Sequence, residues 1–203
     1  PESGRGLHAR AGARVKLSGG LFDHNHDVAV LATGPGTLLQ GRDLAISNTQ
    51  PAANGAGRGR RLELSEGARG EIQRVLIRAS HQVGLAVLGP ASEGVARELR
   101  VRKTYASPCP NQACRGPGGS GVVVSNGAAI ELDDFVITDS ELAGLQLADA
   151  REVRTTRGLL THNSIALNAP AEVSAILKSQ LGNQNLREIE TRALPVPRAT
   201  REQ

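Results

Sequence analysis

Between Gly119 and Asn163 the chain states one pattern twice, without interruption: GSGVVVSNGAAIELDDFVITDS, then ELAGLQLADAREVRTTRGLLTHN. Each half opens with a short apolar alternation (Val122/Val124; Leu145/Leu147) and turns at a small residue (Gly127; Ala150). A second alternation (Ile130/Leu132; Val153/Thr155) and a third (Phe135/Ile137; Gly158/Leu160) follow, closed by a small polar residue (Ser140; Asn163). Three short strands in roughly 23 residues cannot bury a face alone, so successive copies must stack, which is the pattern of a parallel β-helix.

The pattern extends along the chain from one anchor per coil: Phe22, Ile46, Ile77, Val101, Ile137 and Leu160, at spacings of 24, 31, 24, 36 and 23. A further, degenerate coil is expected through Ile165–Asn185, with Leu181 as its anchor. Three positions after the anchors every coil carries a small hydrogen-bonding residue: Asn25, Thr49, Ser80, Thr104, Ser140, Asn163. These are expected to stack in one corner and bond the turn backbone. Ten positions before the anchors stand Gly12, Gly36, Gly67, Ala91, Gly127 and Ala150, as a left-handed or crowded turn requires. Two ladders of restricted chemistry in one register predict an all-β fold: a parallel β-helix of about seven coils, three short strands per coil.

Composition agrees. Only Phe22, Tyr105 and Phe135 are aromatic, so the core must be a narrow aliphatic column, and 24 Gly with 10 Pro suit a chain that turns every few residues. A chain with no Met that begins at Pro1 reads as a fragment or processed product. No apolar run reaches the ~18 residues of a membrane span, and no signal peptide is visible. The net charge of +4 comes from Arg residues interleaved with Asp and Glu, without an aromatic platform, which argues against nucleic-acid binding.

The two long spacings hold insertions. One, at 50–58 (QPAANGAGR), is rich in Gly, Ala and Asn; the other, at 105–118 (YASPCPNQACRGPG), holds both cysteines. Both depart after the same ladder position, so they should emerge on one edge, two coils or roughly 10 Å apart. The expected organisation is a β-helix over 1–185 and an irregular tail over 186–203.

With its coils laid out, the chain resembles right-handed parallel β-helix repeat proteins of the pectin-lyase-like superfamily, closest to uncharacterised exported repeat proteins of myxobacterial type. The resemblance rests on GGLFDHNHDVAV (Gly19–Val30), ISNTQPAANGAGRGRRL (Ile46–Leu62), SHQVGLAVLG (Ser80–Gly89), FVITDSELAGLQLA (Phe135–Ala148) and GLLTHNSIALN (Gly158–Asn168). It covers about Gly6–Asn185 and implies the fold and a secreted or cell-surface bacterial setting. It implies little about activity, because one fold hosts many functions. The superfamily's polygalacturonase-like pattern joins paired aspartates to Gly-His-Gly and Arg-x-Lys; here Asp133-Asp134 stand without either. The acidic calcium cluster and Arg base of its pectate lyases have no counterpart.

Candidate residues are few. Glu131, Asp133 and Asp134 are the carboxylates available for paired acid–base chemistry, with Asp139 and Glu141 nearby. Arg97, Arg154 and Arg157 on neighbouring coils give them an ion-paired reading as well. Arg100, Arg102 and Lys103, beside Tyr105, form an outward basic strip suited to an acidic sugar or another anion, or simply to solvation. Cys109 and Cys114 enclose four residues, too few ligands for structural zinc, and a disulfide is expected in an exported chain. Asp23-His24-Asn25-His26-Asp27 lies on a turn and is read as solvated; no metal and no cofactor are expected.

The function expected is a non-catalytic β-helix scaffold or binding segment, meeting a polysaccharide or surface protein through loops 50–58 and 105–118. The alternative is a polysaccharide lyase or glycoside hydrolase. One row stands out for partners. Leu21, Ala45, Leu76, Val136 and Leu159, broken only by Arg100, face outward one position before the anchors. Such a stripe should be covered, by the tail with Leu194 and Val196 or by a second copy of the chain.

Overall fold

The computed structural model describes residues 4–51, 59–106, 118–178, 181–182 and 184–196. Short and long strands alternate along it. The short ones are β1 (Leu7–Ala9), β3 (Val28–Thr33), β5 (Arg60–Ser65), β7 (Val83–Leu88), β9 (Ser120–Ser125), β11 (Ala143–Ala148) and β13 (Ile165–Asn168). They stack in that order into one parallel sheet, with β14 (Arg187–Glu190) added as the eighth strand. The long ones are β2 (Arg14–Asp23), β4 (Leu38–Ser47), β6 (Arg69–His81), β8 (Glu93–Tyr105), β10 (Ala129–Ser140) and β12 (Glu152–Thr161). These make a six-stranded parallel sheet in the same order along the chain. Every strand pairs with its equivalent one coil away, so the chain is a parallel β-helix.

The register matches the repeat. Phe22, Ile46, Ile77, Val101, Ile137 and Leu160 are successive pairing partners, and Leu160 bridges to Leu181. The turn residues behave as their chemistry demands: Gly12, Gly36, Gly67, Ala91 and Gly127 all have φ between 59° and 86°. In the last full coil the left-handed residue is Asp149 (φ 58°) instead of Ala150.

One expectation changes. The second and third strands of each coil are a single long strand, bent at Gly19, Asp43, Arg74, Glu98, Asp134 or Arg157, all with φ of 50–67°. Each left-handed L-residue costs on the order of 1–2 kcal/mol, and the ladder bonds made on both sides of the bend hold it there. A second left-handed row, His24, Asn48, Ala79, Lys103, Asp139 and His162, turns the chain out of the long strand.

The interior is a column of Leu, Val and Ile ladders with Phe135 among them. Facing the polar corner runs a row of small residues, Gly6, Ala29, Gly84, Gly121, Gly144 and Ala166, interrupted by Arg61. The row is small because space is absent. A Cβ on Gly121 would lie 2.3 Å from Ile137 Cγ2 and 2.8 Å from the Gly144 carbonyl oxygen.

The expected stack of Asn25, Thr49, Ser80, Thr104, Ser140 and Asn163 is in place: Ser80, Thr104 and Ser140 pair in sequence, and all but Asn25 are buried. Its bonding is narrower than expected. Asn163 Nδ2 donates to the carbonyls of Ile137 (3.1 Å) and Thr161 (3.0 Å), and its Oδ1 accepts from Ser140 N. Asn185 repeats this one coil on, donating to the carbonyls of Leu160 and Gly182. The hydroxyls of Thr49, Thr104 and Ser140 have no hydrogen-bond partner among the described residues. An amide carries two donors and can reach the backbone of neighbouring turns, whereas a hydroxyl has one short reach.

The C-terminal end is closed by α1 (Ala171–Leu177), whose Leu177 is buried in the core. Past the expected boundary at 185, β14 pairs in parallel with β13, so the first part of the tail belongs to the solenoid. Beyond it, residues 191–196 cross the outer face of the eight-stranded sheet. Gln146 Nε2 donates to the carbonyls of Leu194 (3.4 Å) and Pro195 (3.2 Å), and Val196 packs on Val83, Ala86, Leu88 and Val123. No helix among the described residues is long and apolar enough to cross a membrane.

The tail therefore covers a different stripe from the one expected. Leu21 is 69% exposed and Leu159 41% exposed, with Ala45, Leu76 and Val136 half-buried between them. Arg100 breaks that row. The outer face of β7 and β9, by contrast, offers Val83, Ala86, Leu88 and Val123 without a charge between them, and it is the patch that gains most from a cover.

Candidate functional site

The outer face of the six-stranded sheet carries Glu131, Asp133 and Asp134, whereas Asp139 and Glu141 lie where the chain turns out of β10. Glu131 and Asp133 point outward from β10, and Asp134 sits at its bend. Each is held by an arginine one coil away: Glu131 by Arg97 (3.2 Å), Asp134 by Arg100 (2.8 Å), Asp133 by Arg157 (2.6 Å) and by the Thr156 hydroxyl (2.7 Å). Asp43 and Arg74 make a two-pronged pair at 2.6 and 2.8 Å, as their neighbouring positions predict. Arg157, equivalent in register to Asp134, pairs instead with Asp133, which lies in the outward row beside the bend. Asp43 and Arg74 are equivalent residues of successive coils, which parallel stacking sets ~4.8 Å apart; the other three pairs reach diagonally between neighbouring coils.

The basic strip divides. Arg100 is committed: Nη1 donates to the Asp134 carbonyl (2.7 Å) and Nη2 to its carboxylate. Arg102 and Lys103 are exposed. Arg102 has a ladder neighbour that reading the strip along one strand did not reveal, Arg78, which is exposed as well. Neither Arg78 nor Arg102 has an acidic partner among the described residues. The signal was the row one position after the anchors, Asp23, Ser47, Arg78, Arg102, Thr138, Thr161, where two like charges stand next to each other. Like charges directly opposite on a sheet repel.

Tyr105 is half-buried and packs on His81, ring centroids 5.6 Å apart and tilted by 41°. Burial, and then the charge of Arg61, push the His81 imidazole below its ordinary pKa, against a smaller opposite pull from Glu141. Glu141 also accepts from the Ala106 amide (2.7 Å). These residues sit where the insertions leave. Gly59, with φ of +66°, closes the first against His81, where a Cβ would be 2.8 Å from the His81 Cβ. Gly118 closes the second against Gln82 and bridges Ala106. The two insertions thus flank one corner, His81–Gln82, on the expected common edge. Residues 52–58 and 107–117, and with them Cys109 and Cys114, lie outside the described residues.

No family model, curated protein or solved structure matches this chain.

The Asp23–Asp27 turn is a hydrogen-bonded cluster. Asp23 accepts from the Ser47 hydroxyl (2.5 Å), Asn48 (2.8 Å) and the His24 ring (2.7 Å), and the Ser47 bond foremost holds its carboxyl down at about 2. Asp27 faces Arg5 at 3.4 Å. Among the described residues no three His, Cys, Asp or Glu side chains are placed to share a metal ion. A cavity of about 320 Å³ lies among Arg10, Ala11, Thr33, Gly34 and Glu66, at the small-residue turn instead of beside the β10 carboxylates.

Proposed function

We propose that this chain is a non-catalytic β-helix scaffold, a binding segment of an exported or cell-surface protein of pectin-lyase-like type. It presents Arg78, Arg102 and Lys103, with the edge that bears loops 50–58 and 105–118, to an acidic polysaccharide or an acidic protein surface. One observation carries the reading: two stacked arginines without acids, on a face where other cations are ion-paired. Side by side at strand spacing they repel, and an anion placed between them relieves that repulsion while accepting hydrogen bonds from both forks. A rigid solenoid holds the spacing, so little ordering is needed on binding.

The alternative, a polysaccharide lyase or glycoside hydrolase, needs a carboxylate free to move a proton. Glu131, Asp133 and Asp134 each carry an arginine instead, which speaks for the scaffold.

Titration with polygalacturonate oligomers tests the reading. Binding should weaken as salt is raised, and the double substitution Arg78→Gln, Arg102→Gln should reduce affinity about tenfold or more, as loss of charge-assisted hydrogen bonds does. Unchanged affinity in that variant would remove this site. Release of unsaturated or reducing sugar by the wild-type chain would favour the enzyme.

A further inference from the structure

In the row that faces the polar corner, six coils carry Gly or Ala and one carries Arg61. Its side chain is 0% exposed. Nε donates to Ser80 Oγ at 3.1 Å, while Nη1 and Nη2 have no hydrogen-bond partner among the described residues. The corner around it is short of partners too. Thr49 and Thr104, on the coils before and after Ser80, are fully buried with unbonded hydroxyls, and His81 Nδ1 is buried without a partner. A charged fork with two empty prongs is among the most costly groups to enclose, because a lost hydration shell must be replaced by a counter-charge or by hydrogen bonds. Arg60 next to it shows the usual solution: equally buried, it pairs with Glu63 at 2.5 Å. Among the described residues no carboxylate forms a salt bridge with Arg61, and Asp23 acts on it only at longer range.

We propose that Arg61 holds a small inorganic anion of halide type inside the solenoid, coordinated by Nη1 and Nη2, with the hydroxyls of Thr49 and Thr104 turned toward it. The corner favours a monatomic ion over a carboxylate or phosphate. It is enclosed by stacked coils ~4.8 Å apart. Hydroxyls, amides and guanidinium N–H groups are donors that suit chloride. Burial, against a smaller opposite pull from the Asp23 charge, lowers the Arg61 pKa to about 9, so at neutral pH the guanidinium is still charged and its two free prongs still call for a counter-ion. The ion sits apart from the exposed Arg78–Arg102 pair, and the two proposals stand or fall separately.

Two measurements decide it. Crystals soaked in sodium bromide should show one interior anomalous peak at hydrogen-bond distance from Arg61 Nη1 and Nη2. Water alone at the guanidinium, or bromide only on surface arginines (an adventitious ion only), would overturn the proposal. In solution, melting temperature measured at constant ionic strength should rise as chloride replaces gluconate, by about 3–6 °C for each tenfold increase above the dissociation constant. Arg61→Ala, which gives this coil the residue Ala29 already places in the row, should abolish that chloride dependence. Equal melting in chloride and gluconate, or an unchanged dependence in Arg61→Ala, overturns it. The bromide measurement uses the wild-type chain and holds even if the variant does not fold.

Discussion

The two sheets of this solenoid have outer faces of opposite character. On the six-stranded sheet the outer face is wet, laced with exposed ion pairs such as Asp43–Arg74 and Arg97–Glu131, and its apolar row remains partly exposed. On the eight-stranded sheet the outward row Leu31, Glu63, Ala86, Val123 and Gln146 is buried to within 1% exposure throughout. Polar residues on that row do not keep it in water. Glu63 is enclosed with Arg60, and Gln146 bonds the tail that crosses over it. Outward apolar residues alone therefore do not mark the covered side. What marks it is a strand apolar on both faces, as VGLAVL and GVVVS are, against the alternation of IELD on the open side.

The comparison breaks most sharply at its charges. Glu63→Ala leaves Arg60 buried without its carboxylate and should cost about 3–5 kcal/mol in denaturant unfolding. Asp43→Ala removes an equally short pair from the open sheet and should cost no more than about 1 kcal/mol, because water solvates Arg74 in its place. Similar losses from the two would mean that the faces do not differ in solvation.

How far the sequence revealed this difference depends on the kind of physics involved. The register was legible to the residue, because anchors, turn glycines and the polar ladder each repeat a steric demand once per coil. That the β10 carboxylates would meet arginines of neighbouring coils followed from register, although Arg97 reaches Glu131 diagonally instead of its ladder partner Asp133. The left-handed bend at Asp43, Arg74, Glu98 and Asp134 was not legible, since those side chains carry no signature of positive φ in the way Gly12 or Gly67 does. Arg78 escaped for a different reason: like charges twenty-four residues apart look unrelated until the coils are stacked. The tail's destination was misread because Leu194 and Val196 state only that something apolar is covered, without saying which stripe.

A smaller effect sharpens the contrast at the tail itself. Val196→Asp places a charge against Val83, Ala86, Leu88 and Val123 and should lower stability by about 1–2 kcal/mol, with protease sensitivity gained after β14. Leu159→Asp, on the open stripe, should be within about 0.5 kcal/mol of wild type. Equal costs would mean that the stripe through Leu159 is covered in solution as well, and a mass measurement would then reveal a second copy.

The smallest effect lies at the edge between the two faces, on His81. Its imidazole is held below its ordinary pKa, chiefly by burial, secondarily by the nearby Arg61 charge, with Glu141 pulling the other way and the Tyr105 ring packed against it. The unfolded chain consequently takes up a proton first as the solution is acidified. Stability contributed by the neutral ring is full above the ordinary histidine pKa of about 6.5 and is lost as pH falls from there toward the lower folded value. Unfolding measured from pH 7.5 to pH 5 should show this loss, and His81→Gln, which cannot titrate, should flatten that part of the profile. Asp23 on the open sheet titrates elsewhere. Its carboxyl, held at about 2 first by the Ser47 hydroxyl, contributes stability that is present above the ordinary carboxylate range and lost only as pH falls toward 2. The two groups are thereby separable in one titration, His81 reporting on the enclosed corner and Asp23 on the solvated face. If His81→Gln kept the wild-type profile between pH 7.5 and 5, the corner would be open to water and its buried donors, Arg61 included, hydrated from outside.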